Sequence, residues 1–345
     1  MKILVTGGAG FIGSHIAEFY ASREHAVTVV DNLSRGRLLK SRNLGRLYNW
    51  NYVKALRNVS VRRGDIRNWS ELASAARGSQ AILHTAAQVA VTSSIDNPRT
   101  DFEVNAMGTF NVLEAARKND SMVVFCSTNK VYGENVNKIK ILETDSRYMI
   151  SDPNYAHGVP VEFDVDLTGH SPYGCSKIAG DFYVQDYAHT YGLKTGVFRM
   201  SCIYGDRQFG VEDQGWVAWF TIATILRKHL TIYGDGKQVR DVLNVSDLVR
   251  LFDAFTRSNV RNGVFNAGGG PDNTLSLLEL MKLIEKHTGI VPNPSFREWR
   301  PADQKVYISD ISDAHEQLGW LPEIPPEDGV RQLIEWVMRH KTIWS

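Results

Sequence analysis

The chain is poor in cysteine, with three among 345 residues, an odd number. That excludes a disulfide framework, and Cys126, Cys175 and Cys202 read as small buried hydrophobes of a reducing compartment. No Cys/His grouping has the spacing of metal ligands, so no metal is expected. Charge of one sign is also missing: the balance is +1, which gives no reason to expect nucleic acid or a membrane surface as partner. No apolar run approaches the ~18 residues that span a bilayer. A strand expected from Lys2 leaves no room for a signal peptide, and a cytoplasmic protein is expected. Repeats and low-complexity segments are absent.

What remains is an ordinary globular composition, 43% hydrophobic and 22% charged, long enough for a nucleotide-binding domain and a smaller appended one. Short β-branched runs at Lys2–Thr6, Ala26–Val30, Val59–Arg62, Gln80–His84, Met122–Ser127, Lys194–Arg199 and Val264–Asn266 read as strands. Helical patterns cover Phe11–Ser22, Trp69–Arg77, Glu103–Lys118 and Gly174–Tyr191. This alternation predicts an α/β fold, a doubly wound parallel sheet with helices on both faces. After Tyr204 the pattern loosens. Helices are expected at Val217–Lys228, Ser246–Phe255 and Ser276–Lys286, and loops at Arg297–Tyr307 and Leu321–Pro326. The division expected is 1–204 and 205–345, with a strand near 264–266 returning to the first part. One segment is basic: Arg35, Arg37, Lys40, Arg42, Arg46, Lys54, Arg57, Arg62, Arg63 and Arg67. It reads as a solvated insertion after the second strand, attraction of an anionic substrate being the alternative.

Glycine is placed where chemistry needs it. Gly7, Gly10 and Gly13 follow a strand and open a helix at Phe11 and Ile12, the context of a dinucleotide fingerprint. Such glycines let the backbone approach a pyrophosphate, and the helix N-terminus favours its charge. Asp31 ends the second strand, followed by Asn32, Ser34 and Arg35. Its carboxylate is suited to both ribose hydroxyls and would repel a 2′-phosphate, so NAD is expected over NADP; Arg35 is the one argument the other way. Asp65 and Ile66 are expected near adenine. Ala86, Ala87 and Gln88 after the fourth strand offer small side chains along the cofactor.

Downstream, Tyr173 and Lys177 lie one helical turn apart in the run His170–Lys177, so they share a face. An ammonium there is expected to lower a phenol pKa from its usual ~10. Ser127-Thr128 stands between glycine loop and tyrosine. In that order the three elements predict proton transfer from a sugar hydroxyl by Tyr173, coupled to hydride transfer to nicotinamide.

Together with Asn105, these residues resemble the extended short-chain dehydrogenase/reductase superfamily over nearly the whole chain. The resemblance implies a Rossmann-type NAD-binding domain and a C-terminal α/β substrate lobe, with Thr128, Tyr173 and Lys177 catalytic and Ser127 and Asn105 near the cofactor. Val131-Tyr132-Gly133 and Gln238–Val242 resemble its nucleotide-sugar enzymes, where Arg240 and Arg300 correspond to diphosphate-binding arginines. Gln88-Val89-Ala90, Thr92–Pro98, Ser127–Gly133 and Arg207-Gln208-Phe209 are similar to the CDP-tyvelose (CDP-paratose) 2-epimerases. So is Asp213–Phe220, the most specific of these runs. The resemblance implies Gln88, Thr128, Asn129, His170, Arg207, Gln208, Asp213, Gln214 and Trp216 as sugar-nucleotide contacts. The helices Glu103–Lys118 and Gly174–Tyr191 correspond to the superfamily's usual dimer face, implying a homodimer or homotetramer. Asp152–Gly169 fits the pattern poorly, and Asn244 stands where many relatives carry His.

The 4,6-dehydratases of this superfamily carry an Asp-Glu pair just after the catalytic Thr. Asn129-Lys130 offers no carboxylic acid, so elimination is disfavoured and an isomerase is expected. The expected reaction is inversion at C2 of a CDP-hexose through a transient keto-sugar, with NAD retained. The alternatives are a 4-epimerase of a UDP- or GDP-hexose, and a non-catalytic NAD-binding regulator, a class that tends to lose the Tyr or Lys.

Overall fold

In the run Ile3-Leu4-Val5 every side chain is buried, the pattern of a strand covered on both faces. The computed structural model, which describes residues 1–35, 45–300 and 303–344, makes this strand β1 (Lys2–Thr6) of a seven-stranded sheet. With it run β2 (Ala26–Asp31), β3 (Val59–Arg63), β4 (Ala81–His84) and β5 (Met122–Thr128). A short antiparallel hairpin follows, β6 (Ile141–Glu143) and β7 (Tyr148–Ile150). Further along come β8 (Thr195–Met200), β9 (Cys202–Tyr204), β10 (Leu230–Tyr233), β11 (Val239–Asn244) and β12 (Asn262–Ala267). The order in the large sheet is β12-β8-β5-β4-β1-β2-β3. Every pair is parallel, with Thr6 opposite His84 and Ser127 opposite Arg199. The expected returning strand is thus an edge of the sheet.

Alternate residues of each strand feed two cores. Ile3, Val5, Val29 and Phe198 pack with Ile16 and Tyr20 of the helix Phe11–Ala21 and with Phe252 and Phe255 of Val245–Arg257. On the other face Leu4, Val30, Phe125 and Val197 meet Leu72, Val112 and Val184. A third core joins Val217 and Phe220 to Leu280, Ile284, Leu333 and Val337.

Several elements differ from the sequence expectation. Glu103–Lys118 is a π-helical turn, Glu103–Met107, leading into an α-helix, Gly108–Asn119. The Arg297–Tyr307 segment is not all loop: β14 (Pro294–Arg297) pairs with β10, and β15 (Val306–Tyr307) with β11, which also holds β13 (Thr274–Ser276) and β9. Helices form at Gly45–Ala55, Ser312–Leu318 and Pro326–Arg339. The first lies inside the basic segment, where Val53 is fully buried against the first core, so this part is packed rather than solvated. Arg37, Lys40 and Arg42 of that segment, and the side chain of Arg46, lie outside the described residues.

Candidate functional site

The C-terminal ends of β1, β2, β4 and β5 converge on one crevice, where open α/β sheets bind ligands. Gly7 turns the chain with φ +70°, and a Cβ there would lie 2.7 Å from the Cα of Ala86. A Cβ on Gly13 would sit 2.3 Å from the carbonyl oxygen of Gly7. The loop therefore closes only without side chains, leaving backbone amides at the head of the helix Phe11–Ala21, a cradle that fits a pyrophosphate. Phe11 is buried and Ile12 partly so, anchoring that helix. Asp31 accepts hydrogen bonds from the amides of Ala9 (3.0 Å) and Leu33 (2.8 Å). Burial pushes its carboxyl pKa up, against these two donors. Each carboxylate oxygen keeps a lone pair for a ribose hydroxyl. Asn32 donates to Asp65 at 2.9 Å and accepts from the amide of Ser34 at 2.9 Å. Arg67 grips Asp65 at 2.8 Å and is the main reason its carboxyl falls to about 2. Ile66 packs beneath Gly108, whose bare Cα makes room for it.

Arg35, weighed as a phosphate ligand, turns instead into the loop after β9. It donates to the carbonyl of Phe209 at 3.2 Å and to Oε1 of Gln214 at 3.0 Å. Gln214 Oε1 is thereby tied to the segment that follows β2.

Thr128 ends β5 and caps the turn behind it, its Oγ1 accepting from the amide of Lys130 at 3.3 Å. Tyr173 and Lys177 sit in the first turns of the helix Pro172–Tyr191, started by the Ser171 cap and Pro172. The amide of Tyr173 donates to Ser94 Oγ at 3.1 Å, and its hydroxyl is hydrogen-bonded to Thr128. A contact between Thr128 and Tyr173 thus forms, with Lys177 one turn further along the helix. The expected depression of the phenol pKa does not occur: burial pushes Tyr173 up to about 12, outweighing the Thr128 hydrogen bond. The Lys177 ammonium donates to the Cys126 carbonyl at 2.6 Å and lies 4.2 Å from the centre of the Phe125 ring, so it is not spent on the phenol. Burial brings it down to about 8.

Two buried networks stand behind this pair. Gln88 gives both amide hydrogens to the Ala90 carbonyl (2.9 Å) and Asp101 (2.8 Å), and its oxygen accepts from the Ala90 amide. Asn105 accepts from the Gln88 amide at 2.9 Å and donates to Asp101 and Ser176, both at 3.1 Å. Ser176, between Tyr173 and Lys177, bonds to Asp101 as well. Gln88 and Asn105, expected against ligand, therefore brace the helix Pro172–Tyr191: the amide hydrogens of both are already given, leaving a lone pair on each carbonyl oxygen. Ser127, expected near the cofactor, donates to Asp181 at 2.7 Å; Asp181 pairs with Arg199 at 3.1 Å in the interior. Asp101 and Asp181, which anchor these networks, carry no signal in the sequence. Each is an acidic residue inside a helix, indistinguishable in sequence from a solvated one.

The remaining expected contacts come from later segments of the chain. Asn129 is buried, its Oδ1 3.4 Å from Thr128 Oγ1. His170 is bonded to the Val165 carbonyl at 2.7 Å and packs on Gly133, a brace for the loop 152–169. Arg207 does not reach the site: it pairs with Glu18 at 2.7 Å over the Tyr52 ring, burial favouring the available carboxylate. Gln208 donates to Ile203 at 3.1 Å, and its Oε1 is buried with no partner among the described residues. Trp216 donates to Cys202 Sγ at 3.1 Å. Arg300 pairs with Asp213 at 3.0 Å and covers Tyr233; Arg240 pairs with Asp303 at 3.4 Å. Asn244 caps the helix Val245–Arg257 through the Ser246 amide at 2.9 Å.

The profile of a family described as GDP-mannose 4,6 dehydratase matches residues 4–333. A CDP-paratose 2-epimerase of Salmonella typhi is 41% identical over 97% of this chain and 99% of its own. Among solved structures, a UDP-glucose 4-epimerase with UDP-glucose from Thermotoga maritima superposes with a TM-score of 0.81 at 30% identity, covering 98% of this chain and 99% of that one. A UDP-glucose 4-epimerase of Thermus thermophilus in complex with NAD gives 0.80 at 29% identity, with 99% and 100% covered.

Proposed function

The chain belongs to the GDP-mannose 4,6 dehydratase family, and from that membership we propose that it is an NAD-dependent nucleotide-sugar epimerase that inverts C2 of a CDP-linked hexose, of the CDP-paratose/CDP-tyvelose type. The observation that carries the choice of C2 and of cytidine is the 41% identity, end to end, with a CDP-paratose 2-epimerase. Dehydration is disfavoured by the side chains after Thr128, an amide at Asn129 and an amine at Lys130, neither of which is a carboxylic acid.

NAD fits the Gly7–Gly13 cradle and the Asp31 carboxylate, and when bound it supplies reversible hydride acceptance, turning the carbinol into a ketone and back. Thr128 orients the reacting hydroxyl through its Oγ1. Tyr173 takes that hydroxyl's proton and returns it after the sugar has turned its other face. Burial that raises the phenol to about 12 keeps it protonated at neutral pH. As base it needs positive charge close to its oxygen. Lys177 has two N–H donors beyond the one given to Cys126, and we assign them to the nicotinamide ribose. The reaction is redox-neutral overall, so the cofactor stays with the protein.

Inversion of C4 in a UDP- or GDP-hexose is the second reading, favoured by the 30% identity to a solved UDP-glucose 4-epimerase and by a catalytic trio that does not distinguish the two carbons. A substrate deuterated at C2 separates them: the label stays at C2, in heavy water too, and slows turnover. A slow reaction with the C4 label alone overturns the C2 reading.

Homodimer formation, or a homotetramer built on it, belongs to the same proposal. It is supported by exposed Met107, Phe110, Phe182, Tyr183 and Tyr191 on the helices Gly108–Asn119 and Pro172–Tyr191 and the turn before the first. Cytoplasmic residence is supported by three free cysteines.

A further inference from the structure

Lys130 brings a second amine, besides Lys177, close to Thr128. Its amide is bonded to Thr128 Oγ1 at 3.3 Å, so its side chain starts at the catalytic turn. The side chain is half-buried and runs to the substrate lobe, where Nζ donates to Gln304 Oε1 at 3.2 Å. Gln304 in turn donates to the Gly133 carbonyl at 3.2 Å, which fixes the amine's direction. Arg240 and Asp303 face it across the cleft. Asp303 pairs with Arg240 at 3.4 Å, while the hydrogen-bond partner of the Lys130 amine is the amide oxygen of Gln304. An anion bound near both cations would lower their mutual repulsion. The amine is driven down to about 8, by burial first and Arg240 second.

A sugar nucleotide brings that anion attached to C1 through the glycosyl oxygen. C2 is bonded directly to C1, whereas C4 lies across the ring from it. When C2 faces Thr128 and Tyr173, the β-phosphate is therefore next to the catalytic turn; when C4 faces them, the phosphate is held away from it. The geometry points to Lys130 as the ligand of the β-phosphate, acting with Arg240 to draw the diphosphate toward Thr128 and so present C2 rather than C4. This assignment rests on the reading of the protein as a CDP-hexose 2-epimerase and names the residue that sets its regiochemistry.

The test uses the full-length protein with its retained cofactor. Lys130→Met removes the charge at similar length. Lys130→Gln is a second neutral variant that keeps a hydrogen-bonding partner for Gln304, and Lys130→Arg restores the charge. Calorimetric titration compares CDP, which carries a β-phosphate, with CMP, which does not. Both neutral variants bind CDP roughly tenfold or more weakly, the loss of one charge-assisted hydrogen bond, with CMP affinity unchanged, and Lys130→Arg recovers CDP binding. Equal weakening of CDP and CMP, or no weakening of either, overturns the assignment. Wild type is titrated with UDP and UMP in parallel and assayed on substrates deuterated at C2 or C4. A preference for UDP, or inversion at C4, overturns the functional reading itself. Inversion at C2 by wild type, with an unchanged ratio of CDP to CMP affinity in the neutral variants, overturns the role of Lys130 alone.

Discussion

The ammonium of Lys177 is hydrogen-bonded at 2.6 Å to the carbonyl of Cys126, on the strand that ends at Thr128. The contact fastens the catalytic helix to β5 and keeps a cation in the protein interior. Its consequence is a pH-dependent stability with a definite sign. In the folded state the lysine titrates near 8, below its ordinary 10.5. Between these values the unfolded chain binds more protons, so stability rises with pH there. The cost of the buried charge is complete below about 8 and gone above 10.5. Lys177→Met should therefore melt higher than wild type at pH 7, with a gap that narrows toward pH 10. A gap constant across that range would mean that the amine keeps its ordinary pKa. Lys130, also brought down to about 8, adds to the rise in both proteins and cancels in the comparison.

Tyr173→Phe removes one hydroxyl from a buried ring and leaves the amide contact to Ser94 intact. The variant should fold, keep its cofactor and lose turnover by a factor on the order of 10² or more, the usual worth of a positioned acid/base. Progress curves followed by sugar NMR, alongside nucleotide released on denaturation, give both quantities. Turnover near that of wild type would remove Tyr173 from the mechanism.

Gly13→Ala should abolish retention of NAD. The new Cβ would stand 2.3 Å from the carbonyl of Gly7 and 2.6 Å from the Cα of Gly8, so the loop that cradles the pyrophosphate has to open. Wild type denatured as purified should yield NAD or NADH by chromatography, and this variant little of either. Equal amounts from both proteins would show that the loop is not the cradle.

Asp181→Asn tests the support behind β5. Asp181 is fully buried and accepts from Ser127, Arg199 and Gln185. The amide leaves the Arg199 guanidinium in the interior without its counter-charge, a loss of roughly 3–5 kcal/mol. Urea denaturation should report it as a lower midpoint at unchanged slope. A midpoint within error of wild type would mean that water or another group compensates Arg199.

Much of this was legible in the chain itself. Buried runs such as Ile3-Leu4-Val5, alternating with helical periods, predict the parallel sheet. The glycine loop, Asp31, Thr128, Tyr173 and Lys177 were identified because each belongs to a short-range pattern. Loop closure over a few residues and one turn of helix are local geometry, and local geometry is written in spacing. The helix expected at Gly174–Tyr191 forms over Pro172–Tyr191, the Ser171 cap and Pro172 starting it two residues earlier.

The partners of polar side chains were not legible, and several expectations failed there. Arg207 reads as a substrate ligand until the fold puts Glu18 against it; Gln88 and Asn105 read as ligand contacts until Asp101 and Ser176 take amide hydrogens from them. Arg35 was weighed for a phosphate and spends its charge on Phe209 and Gln214. β14 and β15 are strands only because β10 and β11 are there to receive them. The sequence by itself determined the sheet, the glycine loop and the spacing of Tyr173 and Lys177, since strand, turn and helix follow from neighbours along the chain. Only the tertiary structure decided which cations stay available to a substrate. A buried charge takes the nearest counter-charge, and which one is nearest depends on how distant segments cross, as Lys130 and Arg240 do over Asp303.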